Sequence, residues 1–451
     1  MKTTNKSGDF TQSITFKGFI IAFLMLILLI PQGMILGLIK ERKQRSAKTI
    51  EKINEKWGSD QVIAGPILSI PYTEKKTNIE MLKSSDEKYK KQETITYEDH
   101  ELNITPDELT IRVDLHPEEK YYGIYKAILY QSIISMKGNF NKINTENYKD
   151  CDFKWEEAYI TIGLSDLKGI GNQIDFKVGE ERIIAEANNV CNGCSDKQLV
   201  IALSNIKELN EDVLFFESEL NLNGSGSLNF IPMGKSTQVE IVGNWGTPNF
   251  TGGFSPESVV EKDYFSAKWS VLNFNRNIPD TWIDTNTIDI EETSFGVNLI
   301  EPVNHYQQNE RAAKYAFIFI ALTFVVFIFV ELLTKKQIHP VQYLLIGIAL
   351  ILFYSLLLSL SEQINFSIAY LISSIVTIGL ISVYAQSIFK DKKQTGILSS
   401  LLILSYLFFY IILQQEDFAL LMGSVGLFII LGIIMFVSKK IDFYKRDELN
   451  D

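Results

Sequence analysis

The stretch 302–324, PVNHYQQNERAAKYAFIFIALTF, decides the fold of this chain because the composition changes within it. Three charged residues near its centre are followed by a run, 315–330, that contains no charge. At a rise of about 1.5 Å per helical residue, a helix over 315–333 is long enough to cross a hydrocarbon core about 30 Å thick. The residues before this stretch, apart from one N-terminal apolar run, predict a large water-exposed domain, and those after it predict membrane spans.

The N-terminal apolar run, 18–39, is also free of charge. The apolar region of a signal peptide is shorter, about 7–15 residues, and ends at a small-residue cleavage site. Pro31-Gln32-Gly33 is not such a site. The run therefore predicts an uncleaved transmembrane signal anchor behind a short tail, 1–17, and the basic residues of 40–52 are compatible with a helix.

Charge separates the water-exposed domain from the rest of the chain. Residues 41–313 hold 29 Lys+Arg and 44 Asp+Glu, so they carry 29 − 44 = −15, whereas the whole chain carries −11. An acidic domain argues against nucleic acid as a partner, because phosphate binding needs a basic face. The expected partners are the lipid bilayer and either other proteins or a second copy of the chain.

Alternation of apolar and polar residues predicts that the domain, 40–312, is mostly β-sheet, because this period marks strands buried on one face. Gly224-Ser225-Gly226-Ser227 is typical of a hairpin turn, and the weakly patterned segment 73–107 predicts loop with short strands. The domain is large enough for two sandwiches. The alternating apolar positions are Leu109, Ile111, Val113, Leu115, Ile160, Ile162, Leu164, Leu220, Leu222, Leu228, Phe230, Val239 and Ile241.

The C-terminal part, 313–437, predicts a bundle of five further spans, so that the fold class is a six-helix membrane protein with a large mostly-β extracytoplasmic domain. The loops 334–340 and 389–395 and the tail 438–451 contain nine Lys and Arg, and the alternate loops contain none. By the positive-inside rule both termini are cytoplasmic and the β domain faces outward. The basic residues of 40–52 oppose this layout. The five runs are 315–333, 341–360, 366–389, 396–413 and 418–437.

Two sets of metal-ligand side chains have a functional and a structural interpretation. Cys191-Asn192-Gly193-Cys194 fits a redox pair or half of a zinc site, but Asn-Gly is also a strong hairpin turn, and no second C-x-x-C or H-x-x-H completes a site. A local disulfide or idle thiols is the favoured interpretation. The histidines show no ligand spacing and are expected at the surface or in loops: His100, His116, His305 and His339.

Catalytic motifs are missing from the sequence. It contains no G-x-S-x-G, H-E-x-x-H or P-loop, and Gly169-Ile170-Gly171 is explained by a tight turn. No catalytic, cofactor-binding or metal-binding residue and no enzyme activity is predicted. Seven polar residues near span ends are expected to act as interfacial anchors or to bond back to helix carbonyls: Glu331, Glu362, Glu416, Asp417, Ser355, Ser359 and Ser361.

The start of the first C-terminal span carries two cations on one helix face, Arg311 and Lys314, three residues apart. Positive charge on the outer side of a membrane is disfavoured, so we expect ion pairs with Glu362 and with the acidic residues at 416–417. Solvation of both cations among the lipid head groups is the alternative.

The sequence resembles the CreD family of inner-membrane proteins. Three segments beside the opening stretch carry the resemblance: ELLTKKQIHPVQYLLIGIALILFYSLLLSLSE at 331–362, QQEDFALLMGS at 414–424 and KKIDFY at 439–444. Fainter similarity lies at 57–72, 123–130 and 245–254. The sequence departs from the family pattern at Asn304, Gln363 and Phe443, where Asp, His and Trp are expected, so these positions are poor catalytic candidates.

The resemblance implies an inner-membrane protein that contributes to cell envelope integrity and to tolerance of envelope stress. It implies no enzyme activity and no defined ligand. The alternative function is a membrane transporter or channel subunit for an envelope-related small molecule, which the lack of charge in the middle of the spans disfavours.

Overall fold

The computed structural model describes residues 14–83, 89–143, 148–188, 197–203, 213–284, 293–299, 305–334 and 338–414, and six single positions between 421 and 435. The chain divides into two compact units. One consists of Met1–Ala47 and Val303–Asp451, and the other of Lys48–Pro302.

The first unit is helical. Helix α1, Ile14–Trp57, contains the predicted anchor and the basic segment in one continuous helix. Its residues from 48 onward belong to the second unit. The other helices are α2 His305–Lys314, α3 Ala316–Thr334, α4 Pro340–Ser361, α5 Phe366–Phe389 and α6 Lys392–Gln414.

Four of the described helices, α1, α4, α5 and α6, are long and apolar enough to cross a membrane. Helices α2 and α3 meet at a 45° bend, and together they are also long and apolar enough to cross a membrane. The described residues therefore contain up to five spans. Five of the six predicted runs therefore coincide with described helices. The sixth, 418–437, lies outside the described residues except for its single helical positions.

The helix ends follow from local sequence. Pro340 begins α4, and His339 and Gln342 form a reciprocal capping box before it. The side chain of Asn365 accepts a hydrogen bond from the Ser367 N–H at the start of α5. These caps confine the loops of the bundle to a few residues.

Part of the surface of α5 is apolar and uncovered within the unit, as expected of a helix that faces lipid rather than water. Val383 is the most exposed of these side chains, at 74%. The others on this helix are Ile368, Leu371, Ile372, Ile375, Val376 and Leu380.

The second unit is built from two sheets. A ten-stranded sheet has the order β14-β18-β12-β1-β6-β10-β9, with β2 and β5 also paired to β1, and β17 paired to β2. An eight-stranded sheet has the order β15-β16-β13-β3-β4-β11-β7-β8. The strands are β1 Gln61–Lys83, β2 Tyr89–Ile104, β3 Glu108–Tyr122, β4 Tyr125–Phe140, β5 Cys151–Phe153, β6 Tyr159–Leu164, β7 Asp175–Val178, β8 Glu181–Ile184, β9 Glu186–Asn188, β10 Gln198–Ala202, β11 Leu214–Ser225, β12 Ser227–Ile231, β13 Ser236–Gly243, β14 Asn249–Gly252, β15 Glu257–Val260, β16 Phe265–Leu272, β17 Thr281–Ile283 and β18 Phe295–Asn298.

Both sheets contribute to one hydrophobic core, so the unit is a single sandwich rather than two. All of the predicted alternating apolar positions are buried in it, which confirms the strand prediction. Trp269 lies at its centre, with its ring 5.5 Å from that of Phe295 and 5.8 Å from that of Phe250. The mostly-β character of the unit follows directly from the period of the sequence.

Two local predictions are wrong. The segment 224–227 does not close a hairpin, because β11 pairs with β4 and β7 in one sheet while β12 pairs with β1 and β18 in the other. Gly226 makes this crossing between sheets with φ +67°, where a Cβ would lie 2.3 Å from Asp60 Oδ1. The segment 73–107 is not mainly loop either, since β1 and β2 pair from Leu68↔Ile104 to Lys83↔Tyr89. Its many charges lie on a two-stranded ribbon.

Candidate functional site

The helical unit buries a carboxylate near the end of α3. Glu331 forms an ion pair with Lys17 of α1, and Tyr343 of α4 donates a hydrogen bond to its second oxygen at 3.1 Å. The side chain of Glu331 is only 10% exposed. Glu331 lies at the span end that the sequence predicts, but its side chain is largely buried rather than close to water, because α1 and α4 supply its partners.

A second carboxylate, Glu362, lies at the opposite end of α4. Arg42 of α1 approaches it at 3.9 Å, and the hydroxyl of Tyr306 on α2 donates to it at 3.2 Å. Lys17 and Arg42 are separated by roughly 38 Å along a helix with a rise of about 1.5 Å per residue. The two pairs therefore lie about one membrane thickness apart.

The hydrogen bonds beside Glu362 continue into α2. Asn309 is buried, and its Nδ2 donates to Ser361 Oγ at 2.7 Å and to the His305 carbonyl at 2.8 Å. Ser361 in turn donates to the carbonyl of Leu358 at 3.0 Å, as predicted for a serine near a helix end. The Oδ1 of Asn309 has no hydrogen-bond partner among the described residues.

One of the two cations at the start of the first C-terminal span, Lys314, has a different partner from the predicted ones. Lys314 pairs with Glu310, one turn earlier on α2, at 2.8 Å. Glu310 also accepts a hydrogen bond from the ammonium of Lys43 on α1 at 3.4 Å. The predicted pairing of Lys314 with Glu362 is thus wrong, because α1 supplies the cation beside Glu362. The other predicted partners, Glu416 and Asp417, lie outside the described residues.

The second unit gathers a histidine and two carboxylates on one face of the β1–β2 ribbon. Glu74 lies directly across from Glu98, and the next pair on the same face of the ribbon is Tyr72 with His100. The Nε2 of His100 is 3.6 Å from Oε2 of Glu74 and 3.6 Å from Oε2 of Glu98. Lys76 reaches the same two oxygens, at 3.4 Å and 2.5 Å. We call these four side chains, Glu74, Lys76, Glu98 and His100, the ribbon cluster.

Asp284, which follows β17, fixes the histidine of the ribbon cluster. Its carboxylate accepts a hydrogen bond from His100 Nδ1 at 2.9 Å, and this bond raises the pKa of His100 above its ordinary value. Asp284 also accepts from the Glu101 N–H at 3.0 Å and has φ +56°. The Tyr72 ring, 5.6 Å from the imidazole, closes one side.

The hydrogen bond between Lys76 and Glu98 lowers the pKa of Glu98 and raises that of Lys76. Both groups are therefore charged across the neutral pH range, and the ribbon cluster has two carboxylates facing one ammonium. On the other side of β1, Cys151 of β5 is the register neighbour of Glu74, so its side chain lies on the same face of the sheet. Burial raises the pKa of its free thiol.

The other histidines have separate surroundings. His116 lies 3.5 Å from Asp114 and is about half exposed, and His305 packs against Tyr306 with ring centroids 4.1 Å apart. His339 caps α4. The histidines are scattered as predicted, but the prediction gives no sign of the carboxylates around His100, of which Glu74 and Asp284 come from other segments of the chain.

The remaining motifs have structural explanations or lie outside the described residues. Leu167–Gly169 forms a 3-10 turn after β6, as predicted for the G-x-G sequence. A Cβ at Gly169 would lie 2.1 Å from the Asn223 carbonyl oxygen, so the glycine is required by packing. The C-x-x-C motif, Cys191 and Cys194, lies outside the described residues.

Long apolar helices, buried charge pairs between them and a separate two-sheet unit define a class of protein: a multi-span membrane protein with a large β unit. The family model described as "Inner membrane protein CreD" matches residues 13–444. Inner membrane protein CreD of Escherichia coli strain K12 is 30% identical over 423 residues, which cover 93% of this chain and 91% of that protein. The chain belongs to the CreD family of inner-membrane proteins.

Comparison with solved structures gives only weak similarity. The M1 zinc metallopeptidase of Deinococcus radiodurans has a TM-score of 0.19 at 6% identity, with 37% of this chain and 38% of that one covered. A form of the same enzyme bound to a Tyr-Ser-Ala substrate has a TM-score of 0.20 at 7% identity, with 37% and 39% covered. Neither similarity carries an argument about this chain.

Proposed function

We propose that this CreD-family protein is a non-enzymatic inner-membrane protein whose β unit lies in the periplasm and supports cell envelope integrity and tolerance of envelope stress. The observation that carries the proposal is the distribution of charge at the ends of the spans. Nine basic residues lie in the loops and tail assigned to the cytoplasm, and none lies in the alternate loops. Membership in the CreD family supports the envelope role.

The basic segment after the first span, which opposes this orientation, has a physical explanation in the ion pairs of the helical unit. Arg42 faces Glu362 and Lys43 faces Glu310, so two of its cations are offset by carboxylates on other helices. These paired cations are therefore weaker evidence for the orientation of the chain than the nine basic residues in the short loops and the tail. The proposed partners are the lipid bilayer and either other envelope proteins or a second copy, with no nucleic acid.

Orientation is tested with a phosphatase reporter, which is active only outside the cytoplasm. We expect activity for a fusion after Asp284 and none for a fusion after Lys392, because the first position lies in the β unit and the second in a basic loop. Immunoblots that show equal amounts of both fusions are the control. The reverse pattern would contradict the proposed topology.

The envelope role is tested in a strain that lacks the gene. We expect greater sensitivity to detergents, cell-wall antibiotics and colicin-type toxins than in the parent, and restoration by the full-length chain. A chain that lacks the β unit but keeps the lysines of the basic loop, Lys390, Lys392 and Lys393, is expected not to restore the resistance of the parent. Unchanged sensitivity of the deletion strain would argue against the role.

A transporter or channel subunit is the second candidate, and one observation favours it. Asn309 Oδ1 and Gln32 Oε1 are buried acceptors in the helical unit without a hydrogen-bond partner among the described residues. Buried polar groups that lack protein partners can bind water or a solute. Flux in proteoliposomes that is lost in Glu362→Gln would promote this candidate over the first.

A further inference from the structure

The ribbon cluster contains a feature that strand pairing alone disfavours. Glu74 and Glu98 are direct cross-strand neighbours, and like charges in that position destabilise an antiparallel pair. Lys76 contacts both carboxylates and offsets one of the two negative charges. A divalent cation in the place of this ammonium would offset both.

The geometry of the three potential ligand atoms is close to that of a tetrahedral metal site. Two ligand atoms that are each about 2.1 Å from a tetrahedral zinc ion lie roughly 3.4 Å apart. The Nε2 of His100 is 3.6 Å from each of the Oε2 atoms of Glu74 and Glu98, and all three atoms lie within 4.8 Å of one another. Small side-chain rotations would bring all three onto one ion.

The histidine is already oriented for such a site. A metal-bound histidine usually donates its other ring N–H to a carboxylate or carbonyl, which fixes the ring and its tautomer. Asp284 accepts this bond from Nδ1 and leaves Nε2 directed at the carboxylates. The Tyr72 ring packs beside the imidazole and restricts its movement. Asp284 itself is held by the Glu101 N–H.

We propose that Glu74, Glu98 and His100 bind a divalent transition-metal ion such as Zn²⁺, with Asp284 orienting the histidine. The Lys76 ammonium occupies the metal-free site, in contact with the same two carboxylate oxygens, and is displaced when the ion binds. One histidine and two carboxylates suit Zn²⁺ better than Ca²⁺ or Mg²⁺, which prefer oxygen ligands alone. The fourth position is left for water or for a ligand from another molecule.

The test is calorimetric titration of Zn²⁺ into the full-length protein in detergent micelles. The chain used carries Cys191→Ser and Cys194→Ser, because cysteine thiolates are zinc ligands and would add a second source of binding. We expect saturable binding that His100→Ala weakens by at least about 10-fold and Asp284→Asn by about 10-fold. His116→Ala is the matched control, since its only described carboxylate neighbour is Asp114, and it is expected to change nothing.

The variant that separates this proposal from ordinary surface binding is Lys76→Met. It removes the competing ammonium and keeps the length of the side chain, so zinc is expected to bind several-fold more tightly. Unchanged tryptophan emission shows that each variant is folded. Equal zinc affinities in His100→Ala and His116→Ala would contradict the proposed site. A zinc affinity that is not higher in Lys76→Met would contradict displacement of the ammonium by the ion.

Discussion

Replacement of Glu331 by alanine is expected to lower the free energy of unfolding of the helical unit by about 3 kcal/mol. Removal of one partner from a buried ion pair leaves the other charge uncompensated, which typically costs about 3–5 kcal/mol. The lower end of this range is expected here because the Lys17 side chain is 26% exposed and can reach water. Tyr343 loses its acceptor in the same variant and adds to the loss.

The double variant Lys17→Met/Glu331→Leu distinguishes loss of the pair from loss of packing. Apolar replacement of both partners is often neutral or stabilising, so most of the stability is expected to return. The control is Lys314→Met, which removes an exposed pair with Glu310 and is expected to cost at most about 1 kcal/mol. A double variant as unstable as Glu331→Ala would contradict the explanation by charge.

The measurement can follow each unit by itself. All five tryptophans lie between residues 48 and 302, at Trp57, Trp155, Trp245, Trp269 and Trp282. Denaturation in mixed micelles, followed by the helical circular dichroism signal, therefore reports the bundle, and tryptophan fluorescence reports the β unit. Glu331→Ala is expected to shift the first transition and leave the second unchanged.

The burial of Glu331 shows why the sequence predicts the spans but not their polar contacts. An apolar run of sufficient length predicts a helix from its composition alone. Whether a carboxylate at its end meets water depends on which helix packs beside it, and the partner of Glu331 is 314 residues away at Lys17. The basic residues of 335–336 nearby in sequence make Glu331 resemble an interfacial anchor.

In the β unit, too, the sequence predicts the elements but not the contacts between distant residues. Alternation reveals the strands that face the shared core, since each buries one side, but it fails for the β1–β2 ribbon, where the described side chains of 73–78 and 93–99 are exposed or half-buried on both faces. His100 and Asp284 are separated by 184 residues and are joined only because β17 pairs with β2. No local spacing could reveal that contact. The resemblance to CreD gives the family but no site.

Replacement of Gln61 by glutamate is expected to lower the free energy of unfolding of the β unit by more than about 3 kcal/mol. Gln61 is fully buried at the start of β1. Its Nε2 donates to the carbonyls of Asp166 and Asn223 at 3.0 and 3.4 Å, and its Oε1 accepts from the Asp166 N–H at 3.3 Å. One oxygen of a carboxylate there would keep the Asp166 N–H, but the other would face two carbonyl oxygens with no donor between them. A buried charge without a counter-ion is strongly destabilising.

Two matched variants separate the charge from the lost hydrogen bonds. Gln61→Met keeps the size, leaves the Asp166 N–H without its side-chain acceptor and is expected to cost about 1–3 kcal/mol. Gln238→Glu makes the same change at an exposed position of β13, between uncharged register neighbours, and is expected to be close to neutral.

The pH dependence of Gln61→Glu provides the last test. Burial raises the pKa of a carboxyl above its value of about 4.3 in the unfolded chain, so the folded state holds the proton to higher pH. A protonated carboxyl can again donate to a carbonyl. The stability defect, measured by tryptophan fluorescence, is therefore expected to be full above the raised pKa and to shrink as the pH falls through it. A defect that is the same at both ends of this range, or no larger than that of Gln61→Met, would show that the buried charge is not its cause.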